Sequence, residues 1–270
     1  MSKAVIYYFT GSGNSLAVAR DLAEGLDANL IPMAAFQDQQ IIKTEAGVIG
    51  FVFPIYDFKP PKFVMDFLPK MDGIRDQYIF AVCTYGISSL HALKDFGKAI
   101  KSCGGRLSAG FAVQMPQNGI GGALLKDALL QRMFANWKKK CEIVCENIKS
   151  RKSGKFEFVL LPAMIFRFPV FKMLKLLFGF VRILKSKGAE ALSLAANDTC
   201  NGCRICEKVC PVHNIQLSDN RPVWSDHCAG CFACLHWCPK QSIGTGVYDL
   251  CIRHYHHPEV KLTDMMSDKE

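Results

Sequence analysis

Up to residue 154 the chain alternates short apolar runs with longer mixed stretches. Ala4–Phe9, Gly47–Phe53, Tyr78–Cys83 and Ser108–Met115 are rich in Val, Ile, Phe and Ala and carry few polar residues. Such runs suit strands of a parallel sheet covered on both faces. Ala28–Met33 is a weaker fifth run. Between the runs lie Asn14–Gly25, Pro61–Leu68, Ser88–Ser102 and Ala123–Ser150, each compatible with a helix. Strand–helix alternation of this kind predicts an α/β fold with right-handed crossovers.

The pattern then changes. Arg151–Gly154 reads as a linker, and Phe156–Lys187 is apolar and basic together. On a helical period, Val170, Met173, Leu174, Leu177, Phe180, Val181 and Leu184 share one arc. Lys172, Lys175, Arg182 and Lys185 share the other, which predicts a basic amphipathic helix. The net charge of +9 is concentrated here, because residues 138–187 hold 13 basic and 3 acidic side chains. The expected role is packing between domains or against a partner. Peripheral contact of 156–187 with an anionic membrane surface is the second reading. Nucleic acid is not an expected partner, since no recognition module accompanies the charge. The charge run also interrupts the segment too often for a membrane span.

The third texture is cysteine-dense. Eight of the 13 cysteines lie between Cys200 and Cys238. No secretory signal opens the chain, so a cytoplasmic protein with reduced thiols is expected, and clustered thiols then read as metal ligands. CNGCRICEKVCP begins at Cys200 and CAGCFACLHWCP at Cys228, so C-x2-C-x2-C-x3-C-P occurs twice. In two-cluster ferredoxins the fourth cysteine of each run ligates the other cluster. That pattern gives Cys200, Cys203, Cys206 and Cys238 to one 4Fe–4S cluster, and Cys228, Cys231, Cys234 and Cys210 to the other. Gly202 and Gly230 free the chain to turn around a cubane. Zinc sites more often use separated C-x2-C pairs, and the tandem triplets fit them poorly. Ile215, Ile243, Phe232, Trp224 and Trp237 read as the hydrophobic shell. Residues 197–245 resemble a bacterial 2×4Fe–4S ferredoxin domain, of small α+β type.

The first strand runs into Thr10-Gly11-Ser12-Gly13-Asn14-Ser15 and then a helix. Backbone amides at a helix N-terminus, with hydroxyls beside them, form an anion site. No lysine completes a Walker loop, and Leu16 stands where a dinucleotide fingerprint needs its last glycine. The loop is similar to the flavodoxin phosphate loop. Pro54-Ile55-Tyr56-Asp57 and Cys83-Thr84-Tyr85-Gly86 resemble the two flavin-ring loops of that fold, with Tyr56 and Tyr85 as the aromatic candidates. The resemblance implies a doubly wound, parallel, five-stranded sheet. It also implies FMN bound by Thr10, Gly11, Ser12, Gly13, Asn14, Ser15, Pro54, Ile55, Tyr56, Thr84, Tyr85 and Gly86.

Taken together, YYFTGSGNS, GFVFPIYDFKPP, CTYG, GFAVQMPQN and the cysteine repeat resemble flavodoxin–ferredoxin fusion proteins of the EFR type. The domains expected are 1–154 (flavodoxin-like), 155–196 (helical connector), 197–262 (ferredoxin) and 263–270 (frayed tail). The function implied is electron transfer between FMN and two 4Fe–4S clusters and onward to a redox protein partner. The alternative is a stand-alone FMN-dependent reductase of a small substrate. The sequence contains no acid–base set to serve one, so no catalytic residue is assigned. His256 and His257 read as a solvated pair, and Cys83, Cys141 and Cys145 as core residues.

Overall fold

The computed structural model describes residues 4–117, 119, 127–160, 194–246, 249 and 252–266. The helix expected over Val170–Lys185 lies outside the described residues. Ala4–Tyr8 (β1), Ala28–Pro32 (β2), Val48–Pro54 (β3), Tyr78–Tyr85 (β4) and Leu107–Gln114 (β5) form the frame of one sheet. Asn14–Leu26 (α1), Lys62–Phe67 (α2), Ala92–Ser102 (α3) and Asp127–Lys149 (α4) connect or flank them. Every residue of β3 is buried, because helices cover both faces of the sheet.

The order is β2-β1-β3-β4-β5, followed by a short sixth strand, Lys155–Phe156 (β6), and every pairing is parallel. The first five strands follow the 2-1-3-4-5 order of flavodoxin-like folds. The sixth corrects the expected count of five. β6 pairs with Ala109 and Gly110 of β5. The next residues stay docked: Glu157 donates its amide to the Gly110 carbonyl and its carboxylate accepts from Ala112 N and Lys140 Nζ. The segment after residue 154 therefore begins as part of the first domain, not as a connector. Phe51, Phe53, Phe80, Phe96 and Phe111 fill the core. Each such ring stabilises the fold by roughly 1.5–3 kcal/mol relative to exposure.

The second domain is built from short elements. Ala195–Ala196 (β7) pairs antiparallel with Ile243–Gly244 (β10), and Ile215–Ser218 (β8) with Arg221–Trp224 (β9). Two one-turn helices, Ile205–Lys208 (α5) and Ala233–His236 (α6), lie at equivalent points of the sequence repeat. The backbone repeats as well. Gly202 and Gly230 take φ of 68° and 64°, and Arg204 and Phe232 take 63° and 55°. The matched left-handed turns explain why both halves carry glycine at that position. Ile215 and Ile243 are buried beside Cys206, Cys210 and Cys234 in a small second core, as the shell reading expected.

Candidate functional site

The two halves of the repeat exchange their last cysteines. Cys206 lies in the electrostatic reach of Cys203, Cys238 and Cys200. Cys234 lies in that of Cys231, Cys210 and Cys228. Cys238 thus neighbours the first three cysteines of the first repeat, and Cys210 those of the second. Burial raises the thiols, Cys206 to about 11 and Cys231 to about 12. Among the described residues, no three His, Cys, Asp or Glu converge closely enough to hold one metal ion. Instead Cys200, Cys203, Cys206 and Cys238 line one shared cavity. Four cysteines around one space supply the four thiolates that a 4Fe–4S cubane needs.

Donors surround these sulfurs. Asn214 N donates to Cys210 Sγ at 3.2 Å, Gly230 N to Cys228 Sγ at 3.4 Å, and Ser242 N to Cys238 Sγ at 3.4 Å. Buried Trp224 Nε1 neighbours the Cys234 sulfur. A donor set of this kind fits an electron-rich sulfur cluster, since hydrogen bonds to sulfur help set its potential.

Residues 199–243 match the 4Fe-4S dicluster domain family.

No curated protein matches the chain. Among solved structures the chain is similar to an FMN-dependent NADH-azoreductase from Bacillus anthracis, at 13% identity over 54% of this chain and 99% of that one, with a TM-score of 0.38. It is also similar to a flavodoxin from Streptococcus pneumoniae TIGR4 (15%, 56% and 99%, 0.36). A flavodoxin from the domain Archaea is a third (18%, 54% and 99%, 0.34). On its own strand order and on the family match, the chain joins a flavodoxin-like domain to a 4Fe-4S dicluster ferredoxin domain.

The dicluster domain sits on the loop after β1. Trp237 Nε1 donates to the Gly11 carbonyl at 3.0 Å. A Cβ on Gly11 would collide with the Cys231 carbonyl oxygen and lie 3.1 Å from the Tyr56 hydroxyl. Only glycine allows this approach. Thr10, Ser12, Asn14 and Ser15 are all buried. Gly13, at φ 91°, is the N-cap of α1; it makes no side-chain cap, and no acidic residue stands in the first turn. The positive end of α1 is thus buried, with no carboxylate in its own first turn.

The other predicted loops meet the same place. Ser15 Oγ and Thr84 Oγ1 share a hydrogen bond of 2.8 Å. Ile55 N donates to the Thr84 carbonyl, and Thr10 Oγ1 accepts from Gly13 N at 3.1 Å. Tyr85 is half-buried at the end of β4, and a Cβ on Gly86 would press on Gln117. The N-terminus of α1 with its hydroxyls fits a phosphate, and the loops from β3 and β4 stand where a flavin ring would be held.

A third contributor was not expected. The segment 253–266, read as the end of the ferredoxin domain and a frayed tail, straps the two domains together. Tyr255 Oη donates to Asn14 Oδ1 at 2.7 Å, and His257 N to the Ser12 carbonyl at 2.8 Å. His256 stacks on Trp237 with ring centroids 4.4 Å apart. Ion pairs join Arg253 to Asp127, Lys138 to Glu259 and Arg20 to Asp264. A 3-10 turn at Leu262–Met265 ends the strap, with Met265 buried. His257 is not solvated: it is 1% exposed and meets Phe134 and Trp137 edge-on.

Proposed function

We propose that this chain is an electron-transfer flavo-iron-sulfur protein, with FMN in the flavodoxin-like domain and a 4Fe–4S cluster on each crossed set of cysteines. The carrying observation is the seating of Trp237 and Cys231 directly on Gly11, which sets the Cys228/Cys231/Cys234/Cys210 group against the loop that fits the phosphate. Two redox sites in separate domains gain from such contact only if electrons pass between them. Bound there, FMN supplies a centre that takes two electrons and returns them singly, while clusters carry one each.

The residues divide the work as follows. The first-turn amides of α1, with Thr10, Ser12 and Ser15, hold the phosphate. Ile55, Tyr85 and Gly86 bound the ring. Trp237 and the strap fix the distance between the domains. Cys203 of the first set and Cys228 of the second are both exposed, so both sets come near a surface that a redox protein partner in a reducing compartment would meet. Cover over the Gly11–Ser15 loop favours this reading over a reductase with an open substrate pocket.

Anaerobic purification with chemical analysis tests the proposal. About eight irons, about eight labile sulfides and about one FMN per chain are expected. Zinc in place of iron would overturn the cluster assignment, and full clusters without flavin would overturn the FMN site. Among the described residues no helix is long and apolar enough to cross a membrane.

A further inference from the structure

Tyr56 has an unusual setting. It leaves β3 in a tight two-residue turn: Tyr56 N donates to Lys59 O at 3.0 Å, and Lys59 N to Tyr56 O at 2.9 Å. The central residues, Asp57 and Phe58, sit at φ 47° and 63°. Phe58 is a poor residue for that region, since its Cβ crowds the backbone there. Its ring is 43% exposed, so packing does not explain the strain. The turn does fix where Tyr56 points.

Its hydroxyl is fully buried, and no group among the described residues accepts its hydrogen bond. It lies beside the Gly11 loop and the Cys231 backbone, within the electrostatic reach of Cys231 and Cys228. A phenol keeps its proton at neutral pH. A buried O–H without an acceptor is costly. A neutral thiol is a weak acceptor, but a cluster's thiolates and sulfides carry negative charge and accept strongly.

The two cysteine sets differ in where their donors come from. Ser242, a residue of the dicluster domain, serves Cys238 of the first set. Asn214, Gly230 and Trp224 are the second set's own donors. Tyr56 comes to the second set from the other domain.

We infer that the Tyr56 hydroxyl donates a hydrogen bond across the domain junction to a sulfur of the cluster held by Cys228, Cys231, Cys234 and Cys210, so that docking of the domains raises that cluster's reduction potential. This rests on the cluster reading above. The direction follows from charge: reduction adds an electron to the cluster, and a donor at sulfur stabilises the more negative form. Tyr56 is thus a tuning residue for the cluster, not a stacking ring for the flavin.

The test uses the full chain, purified anaerobically as wild type and as Tyr56→Phe. Iron and sulfide are assayed first; a wild type without them refutes the cluster reading itself, separately from this inference. Both cluster potentials are then titrated with dithionite and followed by electron paramagnetic resonance. With iron content intact, Tyr56→Phe should lower one potential and leave the other in place. The expected change is about tenfold in that cluster's reduction equilibrium, or about 59 mV for one electron. The Fe–S stretching bands of the wild type should also shift in D2O by more than those of the variant. Unchanged potentials with intact iron, or equal shifts of both clusters, would overturn the inference. If Tyr56→Phe loads poorly, Tyr56→His, which restores an N–H donor, decides: recovered loading of the second cluster supports the inference, and no recovery overturns it.

Discussion

Protonating His257 should loosen the strap that holds the dicluster domain on the flavodoxin-like domain. The ring is 1% exposed, its Nδ1 accepts the Glu259 amide at 3.2 Å, and its Nε2 is buried without a partner among the described residues. Burial is the main cause that lowers its pKa to about 4. The Glu259 carboxylate pulls the other way, while Lys138 and His256 add to the lowering. The docked state therefore holds the neutral ring. A released strap binds a proton near the ordinary value of 6.5, while the docked strap does not until about pH 4. Stability is full above 6.5 and falls as pH drops through that window. At about 1.4 kcal/mol per pKa unit, the loss is about 3 kcal/mol at the acid end and about 2 kcal/mol between pH 7.5 and 5. Hydrogen exchange of peptides covering 253–262, corrected for intrinsic rates, reads the opening free energy directly. His257→Phe keeps the ring contacts and removes the titration, so its opening free energy should be flat over the same range. An unchanged wild-type value at pH 5, or a variant that keeps the full dependence, would refute the reasoning.

Other consequences are as direct. Cys238→Ser should abolish the first cluster, although Cys238 belongs to the second repeat, and iron should fall from about eight to about four per chain. Cys210→Ser should remove the second cluster instead, and spectra of the two variants should differ. Gly11→Ala places a methyl against the Cys231 carbonyl, so the domains must part; small-angle scattering should show a larger radius of gyration than for wild type. Trp237→Phe leaves the buried Gly11 carbonyl without its donor and should cost about 1–3 kcal/mol in denaturant unfolding.

The α/β half was legible because burial on both faces leaves near-continuous apolar runs. The five runs became β1 to β5 with ends displaced by a residue or two. β6 was hidden: Lys155–Phe156 is exposed and too short for a pattern, and its place depends on the carboxylate of Glu157 reaching Lys140 and Ala112. The dicluster domain was legible because covalent geometry fixes the cysteine spacing. His257 was misread because a histidine pair in a polar tail looks solvated until Phe134 and Trp137 of α4 are known to stand over it. Tyr56 is expected as an aromatic at a flavin loop; only three dimensions show its hydroxyl buried beside Gly11.

One signal for the domain junction does lie in the sequence, in the differences between the repeats. Where the first half has Arg204, Glu207, Lys208 and Val209, the second has Phe232, Leu235, His236 and Trp237. In the first half Cys203 is exposed and Arg204 pairs with Glu207 of its own turn, while Val209 is buried. In the second half Cys231, Ala233, Leu235, His236 and Trp237 are all buried. Cys231, Ala233 and Trp237 join the core of the flavodoxin-like domain. Two copies of one motif, bound by the same cluster chemistry, have little reason to diverge in polarity at matched positions unless their surroundings differ. Among the described residues the second half gives that core three buried residues and the first half one, Val209, so the mismatch in polarity marks the second half as the more deeply docked of the two.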